Sequence, residues 1–107
     1  MDLARLKCEA CAPGTLPIDF ERANDHHQQL DDSWKLEPTR IVREFSFRNF
    51  RDPFGLATRI ALLAEQEGHH PDLEISWGRL VVSLTTHAAN GLTDNDFILA
   101  AKIDKLN

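Results

Sequence analysis

The chain has 107 residues, 42% of them hydrophobic and 27% charged, with 12 Lys and Arg against 17 Asp and Glu and a net charge of -5. That is the size of one domain with one core, and the composition excludes a disordered chain, a collagen and a disulfide scaffold. No apolar run approaches the roughly 18 residues of a membrane span, and an acidic chain lacks the positive surface of a general nucleic-acid binder. Neither a membrane nor direct contact with nucleic acid is expected.

Residues 1–17 read as a flexible N-terminal arm, punctuated by Pro13, Gly14 and Pro17, and residues 18–107 as a single domain. The opening MDLARLKCEACAPG has no apolar secretory stretch, which points to a cytoplasmic, reducing home. Cys8 and Cys11 form one CxxC. A zinc site wants a second pair or two histidines at finger spacing, and a redox motif wants a helix inside a βαβ unit, so the reading is a reduced thiol pair.

Residues 18–31 form a weak helical pattern, capped by Asp19, with Phe20, Ala23, His27 and Leu30 on one face. His26 and His27 read as solvated helix residues. A short strand over 33–37 and a turn at Pro38 and Thr39 follow. Residues 40–48 alternate as a strand, with Ile41, Phe45 and Phe47 on one face and Val42, Glu44 and Ser46 on the other. Arg43 falls on the apolar face, which suggests an edge position where its head reaches water.

Asp52-Pro53 reads as a helix start, with Asp52 as N-cap, and Gly68 as its end. Between them Leu56, Ile60 and Leu63 run beside Ala57, Ala61 and Ala64 in the strongest helical pattern of the chain. Residues 73–77 and 80–86 alternate as strands, and Gly78-Arg79 between them fits a type II′ hairpin loop. Leu80, Val82 and Leu84 face one way; Val81, Ser83, Thr85 and His87 face the other. Thr93 and Asp96 make a capping-box pattern ahead of the last helix. The order is α-β-β-α-β-β-α. It implies an α+β fold: a four-stranded antiparallel sheet with three helices packed on one face.

The residues able to do chemistry gather at one place. Glu65, Glu67, His69 and His70 lie where the strong helix gives way to the third strand, and His87 leaves the fourth. In an antiparallel hairpin these ends are neighbours, so three imidazoles and one or two carboxylates converge. Imidazole titrates near neutrality and serves as acid or base, which points to proton transfer on a bound small molecule. A three-histidine metal site is the rival, but vicinal histidines on an extended segment rarely hold one ion, so no metal is expected. Each residue also has a plainer reading: histidines capping carbonyls, Asp96 closing its capping box, Glu65 as a solvated last-turn residue. No P-loop, GxGxxG, GxSxG or HExxH occurs.

The string Glu65-x3-His69-His70-Pro71, followed by Trp77, His87 and Asp96, resembles the signature of the pterin-4a-carbinolamine dehydratases. FSFRNFRDPFGLATRIALLAE resembles that family's second strand and long helix, CEAC resembles its bacterial members, and the likeness spans about residues 33–104. Gly68 stands where many members carry an acid. The resemblance implies a hydro-lyase that removes the 4a-hydroxyl of 4a-hydroxytetrahydrobiopterin as water and yields the quinonoid dihydropterin, recycling the cofactor of aromatic amino acid hydroxylases. It implies no metal and no cofactor. It implies His70 as base at N5, His69 and His87 as acid or orienting groups, and Glu65 and Asp96 as their partners. Substrate is expected against His69, His70 and Pro71 and against Thr86, His87, Ala88 and Ala89. A homodimer or homotetramer is expected too. Two alternatives follow from relatives: a non-enzymatic interaction module of the transcriptional coactivator kind, or a pterin-binding protein of molybdopterin metabolism.

Overall fold

A computed structural model describes residues 2–106. Three helices, α1 (Phe20–His27), α2 (Arg51–Glu67) and α3 (Asp94–Asp104), pack against one antiparallel sheet. Its strands are β1 (Lys35–Leu36), β2 (Ile41–Ser46), β3 (Asp72–Ser76) and β4 (Arg79–Leu84), in spatial order β1-β2-β4-β3. This is the α+β layer and element order that the patterning implies.

Register explains the core. Ile41 pairs with Leu84, Arg43 with Val82 and Phe45 with Leu80, so the alternating residues of β2 and β4 share the helix-covered face. Leu56, Ile60 and Ala64 of α2 and Phe97 of α3 are buried over that face. Burying a side chain such as Phe97 contributes roughly 1.5–3 kcal/mol. The opposite sheet face carries Glu44, Glu74 and Arg79, whose guanidinium reaches both carboxylates.

Several local expectations change. α1 is shorter than 18–31, and Phe20 is 75% exposed rather than inward; Asp19 does cap it, accepting from Arg22 N at 2.8 Å. His26 and His27 are not solvated. His26 Nε2 lies 2.8 Å from Asp94 Oδ1, and His27 Nε2 lies 2.7 Å from the Trp34 carbonyl. β1 keeps only two residues of the expected 33–37, because Trp34 turns inward and donates from Nε1 to Asp104 Oδ1 at 2.7 Å.

Arg43 sits on a central strand and is 8% exposed. Its head is held inside the fold instead: Nη1 reaches Asp104 Oδ1 at 2.6 Å, and the guanidinium lies 4.2 Å from the Phe45 ring centroid. Asp52 is not the N-cap of α2. Phe50 holds that position, and the Asn49 side chain accepts from Asp52 N at 2.7 Å instead. Gly68 ends α2 in the left-handed region (φ 68°), where its N–H meets the Ala64 and Glu65 carbonyls. The hairpin loop is Trp77-Gly78, not Gly78-Arg79, since Ser76 pairs with Arg79. Gly78 therefore takes the second loop position, at φ 74°.

Residues 2–17, read from the sequence as a free arm, lie along the body. Leu3 is buried in the core and forms a single helical turn, Leu3–Arg5, while Leu6 and Cys8 pack against its margin. Burying these apolar side chains offsets the entropy of ordering the segment. Among the described residues no helix is long and apolar enough to cross a membrane.

Candidate active site

Three local devices place the histidines. The left-handed Gly68 turns the chain out of α2, so His69 and His70 follow as a short connector into β3. After β4 ends at Leu84, the bridge of Thr86 with Gly91 closes a loop around the single helical turn His87–Ala89. Asn90 completes that loop at φ 52°, a conformation asparagine tolerates. Finally the Thr93–Asp96 capping box fixes the start of α3 directly behind.

Asp96 is fully buried, and every oxygen of it is used. Oδ1 lies 2.6 Å from His69 Nε2; Oδ2 accepts from Thr86 Oγ1 at 2.7 Å and from Thr93 N at 2.9 Å. Thr93 Oγ1 sits 2.8 Å from Thr86 Oγ1 and extends the chain. Asp96 thus closes the capping box and meets His69 at the same time. With the carboxylate accepting at Nε2, a neutral His69 keeps its proton there and leaves Nδ1 basic.

The second pair is open to water. His70 Nε2 lies 2.6 Å from Glu65 Oε1, with side chains 58% and 78% exposed. His87 is exposed on its turn. A cavity of about 230 Å³ is lined by His69, His70, Thr86, His87 and Ala88, together with Gly68 and Thr85. Of the expected contact residues, Pro71 and Ala89 are not on its wall; Ala89 is buried. Trp77 is at the far end of the hairpin and 70% exposed. Among the described residues no group of three or more His, Cys, Asp or Glu is arranged to hold a metal ion.

The cavity is completed by a wall of Glu9, Ala10, Cys11 and Asn95, which sequence spacing did not bring to the histidines. Asn95 Oδ1 accepts from Glu9 N at 2.9 Å and Glu67 Oε1 accepts from Cys8 N at 3.0 Å. Burial pushes the Cys8 thiol up to about 12, and the Glu67 carboxylate adds to the effect. Burial alone would raise Glu67 as well. The Cys8 N–H and the Lys102 ammonium, 3.5 Å away, outweigh it and hold Glu67 below its ordinary value. The one sequence signal for this wall was the CxxC itself.

Comparison with known proteins identifies the family. Residues 17–106 match the family described as pterin 4 alpha carbinolamine dehydratase. Relatives named for that activity include one from Alkaliphilus metalliredigens, 41% identical over 97% of this chain and 95% of its own length. Another, from Legionella pneumophila, is 44% identical over 98% of this chain and 95% of its own. The crystal structure of a transcriptional coactivator/pterin dehydratase from Brucella melitensis superposes with a TM-score of 0.77. It is 32% identical and covers 84% of this chain and 97% of that one. The chain belongs to the pterin-4-alpha-carbinolamine dehydratase family, a family of hydro-lyases.

Proposed function

We propose that this member of the family dehydrates a 4a-hydroxytetrahydropterin to the quinonoid dihydropterin by proton transfer between histidines. The carrying observation is one small cavity onto which His69, His70 and His87 all open, with His69 held from behind by buried Asp96. Its volume, about 230 Å³, lies below the roughly 300–1,000 Å³ of sites for larger ligands. A flat bicyclic ring entering edge-on suits it.

The reaction needs one base and one acid. The C4a–O bond breaks, the hydroxyl leaves with an added proton as water, and N5 surrenders its proton as the C4a–N5 double bond forms. His70, with Nε2 engaged by Glu65, is the base at N5. His69 is the acid at the hydroxyl in its protonated form: Asp96 holds Nε2–H, Nδ1–H gives its proton to the leaving oxygen, and His87 orients that hydroxyl from the rim. The proton gained at one imidazole balances the proton lost at another, so the site resets through solvent. The product is what a reductase returns to an aromatic amino acid hydroxylase, and we assign the chain to that recycling. Exposed Phe54 and Leu62 on α2 supply an apolar face for a homo-oligomer. The Brucella protein's description names a coactivator role beside the dehydratase; the intact histidine set here favours the enzyme.

The test is the decay of a freshly formed 4a-hydroxytetrahydropterin, followed by absorbance with and without protein. Acceleration by the wild type, lost by about 10²–10⁴-fold in His70→Ala with folding intact, is expected. Equal acceleration by the wild type, His70→Ala and His87→Ala would move the chemistry elsewhere.

A further inference from the structure

We propose that Asn95 is a positioning residue: it clamps residues 9–11 into place as a wall of the pterin cavity, a role that rests on the dehydratase reading. The wall is a strap crossing the site from outside the 17–106 family match. Asn95 is buried in the first turn of α3, next to Asp96. Its side-chain amide accepts from Glu9 N at 2.9 Å and donates to Glu9 O at 2.5 Å. That two-point pairing imitates one rung of a β-ladder and fixes the strap's height and its rotation together.

Both cysteines settle on the same residue. Asn95 Nδ2 lies 3.4 Å from Cys11 Sγ, and Cys8 Sγ lies 3.5 Å from the Asn95 carbonyl. Two further anchors hold the ends: Cys8 N on Glu67 at 3.0 Å, and Gly14 N on the Ala88 carbonyl at 3.2 Å, in the turn that carries His87. Between the anchors, the peptide groups of Ala10 and Cys11 make no hydrogen bond to the described residues. They border the cavity that the histidines also line. A pterin presents an amide edge with donors and acceptors side by side, and a free peptide edge is its complement. The strap therefore orients the ring, while the histidines act on its other end.

A wall and a catalyst give different kinetics. Losing the wall weakens binding of ground state and transition state alike, so KM rises and kcat stays. Asn95→Ala is expected to raise KM, and the Kd of 7,8-dihydropterin read by fluorescence quenching, by about tenfold with kcat within about twofold. Glu9→Pro deletes the N–H from the other side of the clamp and is expected to repeat that pattern. In the wild type, bound 7,8-dihydropterin should slow alkylation of Cys11 by iodoacetamide about fivefold, a readout that needs no variant and no turnover. A fall in kcat at constant KM in Asn95→Ala would overturn the inference, since the effect would then pass through Asp96 and His69. So would a wild type that binds and turns over pterin while Cys11 alkylates at an unchanged rate. A wild type that neither binds nor dehydrates pterin would instead sink the dehydratase reading, and the strap's role with it.

Discussion

His69 Nε2 and Asp96 Oδ1 stand 2.6 Å apart across 27 residues of chain, and the carboxylate is fully buried. One buried group thus closes a helix cap and aims an imidazole. Asp96→Asn keeps an oxygen that can still accept from Thr93 N, so the cap survives. It presents an amide to His69 and disturbs the tautomer. We expect kcat to fall by about 10- to 100-fold with a small change in KM. A melting curve and the pH profile of kcat check it; an unaltered kcat would leave Asp96 with the cap alone.

Glu65 is the contrasting case. Its pair with His70 is as short, 2.6 Å, but both side chains are largely in water. Exposed pairs contribute about 0–1 kcal/mol, so Glu65→Gln should change kcat by less than about fivefold. A loss as large as that of His70→Ala would show that solvent does not screen this carboxylate.

Asp104 collects Trp34 Nε1, Arg43 Nη1 and the Asp31 backbone N–H. Arg43 Nε is already buried without a partner. Asp104→Ala would strand a buried guanidinium, and we expect a loss of about 3–5 kcal/mol in urea unfolding. Asp31 stays 3.8 Å from that guanidinium and tempers the effect. A loss below about 1 kcal/mol would mean that water reaches Arg43 in the folded state.

The pH dependence follows from three groups. Glu67 is held below its ordinary value by the balance described above, and Asp94 by the Arg22 guanidinium above all. A carboxyl depressed in the folded state stabilises it above the unfolded value and loses that as pH falls through the folded one. The melting temperature should be level near neutrality and drop below about pH 4.5, less steeply in Glu67→Gln. Cys8, raised from 9.0 to about 12, has the opposite sign. Its contribution is complete below pH 9 and lost toward 12, so Cys8→Ala should flatten the alkaline limb. Identical limbs in variant and wild type would refute each assignment.

Gly78 takes φ 74°, and a Cβ there would lie 3.0 Å from the Phe47 carbonyl oxygen. Gly78→Ala should cost about 1–2 kcal/mol, from the left-handed backbone and the contact together. Thermal melts of the two proteins would show it; equal stability would mean that the loop rebuilds easily.

Much was written in local pattern. The alternation of β2 and β4, the apolar stripes of α2, the stop at Gly68 and the capping box at Thr93 and Asp96 are signals between near neighbours, and they stand in the structure. So is the meeting of His69, His70 and His87, because the hairpin that joins them is itself local. What only the folded chain decided are partnerships between distant residues: Arg43 with Asp104, His26 with Asp94, and Glu9 with Asn95, separated by 61, 68 and 86 positions. Periodicity reports which way a side chain faces. It carries no record of which polar group from another part of the chain will be buried against it, and burial is what obliges such groups to pair.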